Sequence, residues 1–594
     1  MLDLVQLLQV PHIDNNLRFD LSPNGQSAVF SWNKSGNWEI YQLNLDDLNS
    51  AHLLTHDEGA KFAPKFSPGG NKIIYALDLD GSESYHIVLH DLESNISTDL
   101  TPDIGYAHQP YTAWSPDGNQ LAVLSDVIGH FALYLLTIAT GETKLLFDIH
   151  RPCWDVRWSP NGKWLAVEVE AKASDRAIYI VNSDDGTWHE IKNNDKALNA
   201  EHPAWSPDSQ YLAFSGESGE WHDIGLYEVK TSKVSWLSGS AGDDSFPCWP
   251  RDERLVGWIH AEGAATRLEV QERGGAAKRI QVGAGLHSFP QFTSDGRSLI
   301  FVYESPSQPP DLWELNLDDD SFVQLTFSMP LDELHDAEFI QPEEVWYAGK
   351  DGVQVPAMLY HAKNAATNSP AIVNIHGGPN WHLSFLWYPI MSYMASRGWT
   401  VLAPNYRGST GYGKKWQNAS RFDMGGVDTD DCAAGVKYLI ENNLADKNKI
   451  AVTGRSHGGY LTMTCMTMYP ELWAIGSAVV PFLNWIKSHY ESREDLQHWN
   501  IENMGDPEKN RQLWTERSPY FYLDKINAPV QMICGANDPR CPASESMDAH
   551  DKLVELEKKV ELLLYEGEGH SFLDLENVID SELKRMEFLE NILE

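Results

Sequence analysis

One short signature returns seven times in the first 335 residues, and nothing else in the chain restricts its fold as strongly. It is Leu21 followed by SPNG, Phe66 by SPGG, Trp114 by SPDG, Trp158 by SPNG, Trp205 by SPDS, Trp249 by PRDE and Phe292 by TSDG. The leading apolar residues are separated by 45, 48, 44, 47, 44 and 43 positions. Proline followed by Asp/Asn-Gly sets a tight turn, and the apolar run after each copy (KIIYAL, QLAVLS, SLIFVY) makes a strand. A second strand recurs before the next copy, as in YHIVLHD (85–91), LYLLTI (133–138) and LWELNL (312–317). Seven all-β units of this period predict a seven-bladed β-propeller with four strands per blade. A pair of β-sandwiches or a solenoid is the competing arrangement. Tryptophan at the head of a repeat is expected to pack between blades rather than to serve as a ligand platform.

The pattern changes between residues 330 and 350. A hairpin is expected around Asp351-Gly352, and after it strands alternate with helices. AIVNIH (371–376), TVLAPNY (400–406), KIAVTG (449–454), VQMICG (530–535) and VELLLY (560–565) are continuously apolar, as in a parallel sheet covered on both faces. The expected division is a propeller over 15–335 and an α/β domain over 336–594.

Composition excludes several functions. Forty-five basic against 85 acidic side chains give a formal charge of −40, which argues against nucleic acid and anionic membranes as partners. No apolar run approaches the roughly 18 residues of a membrane span. The start, MLDLVQLLQVPHIDN, lacks the basic region of a signal peptide. The six cysteines form no CxxC pair and are expected as reduced thiols in a cytoplasmic protein. No HExxH, Cys/His cluster, phosphate loop or GxGxxG asks for a metal or cofactor, so none is expected. Asp78-Leu79-Asp80-Gly81 resembles half a calcium loop but lacks the later ligands, and is expected as a hairpin turn.

The chemistry lies in the C-terminal domain. KIAVTG runs into Gly454-Arg455-Ser456-His457-Gly458, a G-x-S-x-G between a strand and a helical stretch. This is the context of a nucleophile elbow, whose sharp turn needs side-chain-free neighbours at −2 and +2. A serine hydroxyl is a weak nucleophile without a base, and the partners should follow as acid, then histidine. Asp538 lies on the loop after VQMICG and His570 on the loop after VELLLY. The bland alternatives are an Asx turn and a surface histidine. An oxyanion hole would take one N–H from His376-Gly377-Gly378-Pro379, with Gly378 named first and Gly377 as fallback, and a second from His457. Arg540 would reach a substrate carbonyl or carboxylate, or make a surface ion pair. Trp485 would wall a specificity pocket or pack in the core.

With its seven repeats, HGGP (376–379), NYRGSTGYG (405–413), GRSHGGY (454–460), NDPR (537–540) and GEGH (567–570), the chain resembles the prolyl oligopeptidase family of serine peptidases, in particular its acylaminoacyl-peptidase branch. The resemblance implies a propeller capping an α/β-hydrolase domain, with the site in the cavity between them. It implies Ser456, Asp538 and His570 as the triad, Gly378 and His457 as oxyanion donors, and Arg540 on the substrate backbone. It also implies that residues 1–14 form an extension packing on the hydrolase domain. Dipeptidyl-peptidase relatives hold a free amino terminus with a Glu pair on a propeller loop. Asp243-Asp244 and Glu343-Glu344 are acidic pairs that read better as turns. The expectation is therefore a serine peptidase for short or acylated peptides, working through an acyl-enzyme, with the propeller as a size filter. A carboxylesterase or small-amide hydrolase and a non-catalytic propeller scaffold are the alternatives, and self-association is left open.

Overall fold

The computed structural model describes residues 2–102, 105–172, 175–252, 254–330, 334, 338–363 and 368–593. The division expected at 335/336, most of the stretch leading up to it and Glu253 of the sixth signature lie outside the described residues.

Six of the seven signatures close their turn by the same local chemistry, the sixth having Pro250 where the others have Ser or Thr. In the third unit Ser115 Oγ donates to Asp117 at 2.6 Å and accepts the Gln120 N–H at 2.9 Å, while Gly118 takes φ 72°. Ser206, Asp208 and Tyr211 repeat this in the fifth unit. Side-chain capping of the turn therefore makes the repeat visible in sequence. The strand that follows pairs antiparallel with its neighbours, and the seven units form seven four-stranded sheets, a seven-bladed propeller. Within each sheet the strands stand in chain order, so among the described residues no strand is exchanged to close the ring. Closure falls instead to apolar packing: Phe19, Phe30 and Tyr41 of the first unit share a cluster with Ile300, Val302 and Leu312 of the seventh. The Gln291 amide also donates to the Phe19 carbonyl at 2.8 Å.

Two repeated features join blades. Trp205 Nε1 donates to the Arg157 carbonyl and Trp249 Nε1 to the Ala204 carbonyl, both at 3.0 Å and both one blade back. The innermost strands also carry bulges, with Ala63, His202, Phe246 and Phe289 at φ 49–56°. A proline follows each of them, where the broken ladder needs no N–H donor.

The C-terminal domain is an eight-stranded sheet in the order 343–348, 354–360, 400–404, 371–375, 450–455, 475–479, 530–535, 560–565. The first three strands pair antiparallel, the first two as the hairpin at Gly352, and the rest are parallel. Helices Val427–Glu441, His457–Met468 and Ala543–Glu555 share one apolar core with it. On the other face Met394, Met586 and Leu589 receive Leu4 and Leu7 of the short N-terminal helix, which Asp3 caps through the Gln6 N–H. Among the described residues no helix is long and apolar enough to cross a membrane, and all six cysteines are free thiols.

The reading of two acidic pairs as turns is corrected. Asp243 and Asp244 open the strand Asp243–Cys248, and Glu343 and Glu344 open Glu343–Ala348. Alternation in those segments is weak because a bulge interrupts the first and the second is an edge strand.

Candidate active site

Strand Ile450–Arg455 delivers the chain to Ser456 at φ 59° and ψ −123°, a region that L-residues enter only under strain. The flanking glycines make this turn feasible. A Cβ on Gly454 would lie 2.5 Å from the Gly458 and Ile375 carbonyl oxygens, and one on Gly458 would collide with the Ile375 carbonyl. Ser456 is held by its N–H on the Val479 carbonyl at 2.9 Å and precedes helix His457–Met468.

Strands Val530–Gly535 and Val560–Tyr565 are adjacent and parallel, so the loops leaving their C-terminal ends lie side by side. The first carries Asp538 and the second His570. His570 Nε2 stands 2.9 Å from Ser456 Oγ, and Nδ1 stands 2.8 Å from Asp538 Oδ2. The other oxygen of Asp538 accepts the N–H groups of Arg540 and Cys541, each at 2.8 Å, which fixes the carboxylate. Asp538 and His570 are buried, at 6 % exposure each, and Ser456 is half-buried. In this chain of bonds Ser456 has a base in contact, and the base has a carboxylate that holds its tautomer.

The glycines of HGGP sit across from Ser456. Gly377 packs so closely that a Cβ would lie 3.2 Å from Ser456 Cβ, while Gly378, at φ 120°, lines the cavity onto which Ser456 opens. The His457 N–H belongs to the first residue of its helix, where no intrahelical acceptor exists and the dipole favours negative charge. His376 anchors the glycine loop: it stacks on Tyr406 at 4.4 Å and meets Ser409 Oγ at 2.9 Å, and Tyr406 donates to the His376 carbonyl at 3.0 Å. Burial pushes the His376 pKa down to about 3, so the ring is a neutral strut. Tyr406 and Ser409 come from NYRGSTGYG, and only their position beneath HGGP reveals this task.

The cavity has a volume of about 650 Å³ and lies between the two domains. Trp485 lines it and also belongs to the core, with Nε1 donating to Tyr460 at 3.0 Å beside Phe482 and Trp514. Arg540 lines it too, but its guanidinium pairs with Glu83 of the propeller at 2.9 Å. Glu83 follows the Asp78–Gly81 segment, where Asp78 accepts the Asp80 and Gly81 N–H groups and so closes a turn. That turn docks on the loops bearing Asp538 and His570. Asn537 donates to the Asp80 carbonyl at 2.9 Å, and Gly81 touches Gly569 so closely that a Cβ on Gly569 would overlap the Gly81 carbonyl.

The propeller wall is acidic. Glu170, Glu201, Asp243 and Asp244 line the cavity, with Arg176 and His222 among them. Burial opposes charge on His222, yet the hydrogen bond to Asp243 and the fields of Glu201, Asp243 and Glu217 raise its pKa to about 9. Glu168, behind this wall, is pushed up by burial and by the charge of Glu201. None of these glutamates was singled out from sequence, since nothing local distinguishes them from ordinary strand residues.

Residues 384–594 match the sequence pattern of the prolyl oligopeptidase family. The chain is 25 % identical over 582 residues to the uncharacterized peptidase YuxL of Bacillus subtilis, covering 77 % of this chain and 86 % of that one. It is 28 % identical over 356 residues to the acylamino-acid-releasing enzyme of Rattus norvegicus, covering 56 % of this chain and 48 % of the relative, and so spans about half of that relative's length. A puromycin-hydrolyzing peptidase of Mycobacterium tuberculosis superposes with a TM-score of 0.86 at 18 % identity, over 100 % of this chain and 96 % of that one, a likeness of fold. The C-terminal residues 384–594 thus carry the pattern of the prolyl oligopeptidase family, and the chain as a whole shares the two-domain fold of the solved structure.

Proposed function

We propose that the chain hydrolyses amide bonds in short peptides through an acyl-enzyme formed on Ser456. The reading rests on one observation, the unbroken run of hydrogen bonds from Ser456 Oγ to His570 and from His570 to Asp538. Ser456 Oγ attacks the carbonyl carbon as its proton passes to His570 Nε2, and Asp538 stabilises the imidazolium. The N–H groups of His457 and Gly378 hold the oxyanion, His570 gives its proton to the leaving nitrogen as the C–N bond breaks, and water repeats the sequence to free the acid. Arg540 reaches the substrate backbone only in exchange for Glu83, which makes it part of the domain seam first. The place of the cavity supports the size-filter idea, since blades and hydrolase wall it on two sides.

The acidic wall favours a second reading of the substrate's end. Glu170, Glu201 and Asp243 offer more negative charge than Arg176 and His222 neutralise, so a protonated amino terminus is stabilised there and an acylated one is not. A library of short peptides, each free or acetylated at its amino terminus, tests both readings with wild-type and Ser456→Ala protein. Cleavage is expected to fall by at least about 10⁴-fold in Ser456→Ala, and free amines are expected to be cut faster. Undiminished cleavage by Ser456→Ala would overturn the first reading, and faster cleavage of acetylated peptides the second. Cleavage of esters alone would favour the carboxylesterase.

A further inference from the structure

Cys541 has no part in the reaction above, yet its sulfur, a carboxylate oxygen of Asp538 and a ring nitrogen of His570 all lie within 4.8 Å of one another. We propose that these three side chains form a site for a single thiophilic divalent cation, of the zinc or cadmium kind, whose binding silences the hydrolase. The inference rests on the reading of His570 as the base.

Three features carry it. The donors are of the right kind, since sulfur, imidazole nitrogen and carboxylate together are a zinc ligand set, with a fourth position left for water. Their spacing is close: tetrahedral bonds of about 2.0–2.3 Å place ligand atoms roughly 3.3–3.7 Å apart. The thiol therefore has on the order of an ångström to close, and the 2.8 Å His570–Asp538 contact has less than that to open. Access and charge are also favourable, because Cys541 lines the cavity beside Ser456 and is held at the flank of Asp538 by its own N–H. Burial, with the negative charges of Asp538 and Glu545, holds the thiol proton on Cys541. The same negative surroundings draw in a dication, and a coordinated thiol gives up its proton outright. Arg540, whose charge acts on the Cys541 thiol, is already paired with Glu83, and the Arg455 guanidinium is engaged by the His570 carbonyl.

Binding stops the chemistry by exchanging tautomers. The metal bonds Sγ and releases the thiol proton to water. It also takes the His570 Nδ1 lone pair: the Nδ1 proton passes to water as Nε2 takes one from water, so the ring stays neutral with its proton on Nε2. Nε2 then donates toward Ser456 and cannot accept from it.

The test is a Cd²⁺ titration of the full chain, read by the ultraviolet thiolate-to-cadmium charge-transfer band and, separately, by peptide hydrolysis relative to each protein's metal-free rate. One Cd²⁺ per chain is expected to raise the band and remove activity together, with reversal by a chelator. Cys541→Val and the near-isosteric Cys541→Ser should lose the band and resist inhibition by at least about tenfold. Ser456→Ala should keep the band although inactive, which separates metal binding from the peptidase reading. His150→Ala, at the other described cluster of metal-type ligands (His130, Asp148 and His150), should be inhibited like wild type. An absent band, or inhibition of both Cys541 variants at the wild-type concentration, would overturn the proposal, as would protection by His150→Ala.

Discussion

The propeller and the hydrolase domain meet at the cavity, but they place their polar groups by opposite means. Six of the seven blade turns use the same chemistry, with a serine or threonine hydroxyl serving its own turn a few residues away. In the hydrolase domain each site group is positioned by a device used once: the strained Ser456, the doubly bonded Asp538, the His376 strut. Repetition spreads the cost of losing any one contact over many equivalents. A unique constellation has no reserve, and displacement of one loop by an ångström is felt in the rate. The blade-two turn at Asp78–Glu83 belongs to both kinds. It is built like any hairpin, yet it supports the loops of Asp538 and His570.

The sharpest way to break this contrast is Gly569→Ala. Its Cβ would overlap the Gly81 carbonyl, so the His570 loop or the propeller turn must move. A fall of about 100-fold in kcat/KM is expected with the circular dichroism of the folded chain kept. An unchanged rate would show that the seam does not hold the site. The next effect is smaller and concerns Arg540. If it belongs to the seam through Glu83, Arg540→Ala and Glu83→Ala should each lower kcat/KM by roughly tenfold and the double variant by little more, as coupled neighbours do. Multiplicative losses would instead assign Arg540 to the substrate alone. The smallest effect belongs to the repeat. Trp205→Phe removes one inter-blade bond to the Arg157 carbonyl and should cost about 1 kcal/mol in urea unfolding, with kcat/KM within twofold. A loss of activity as large as that of Gly569→Ala would mean that the blades do not share their load.

Much of this was legible in one dimension because its causes are local. The blade turns are closed within six residues of sequence, and the elbow is a steric demand of five residues, so both leave a spelling behind. Ser456, Asp538 and His570 could be named because each follows a short, predominantly apolar strand. Arg540 could be named, but its partner could not, since Glu83 is 457 positions away and follows a segment that spells an ordinary turn. The acidic wall is hidden for the same reason: Glu170 and Glu201 stand in strands of different blades, and the Asp243-Asp244 pair reads as a turn in sequence.

Residue order alone specifies the seven-unit propeller, the α/β domain and the succession Ser456, Asp538, His570 along its strand ends. These follow from short-range periodicity, turn sterics and side-chain chemistry, which act between neighbours in the chain. Which blade faces the site, what charge the cavity presents and how near Cys541 comes to Asp538 and His570 are set by the three-dimensional packing. Those are distances between loops whose approach is set by the packing of whole domains, and no local pattern encodes them.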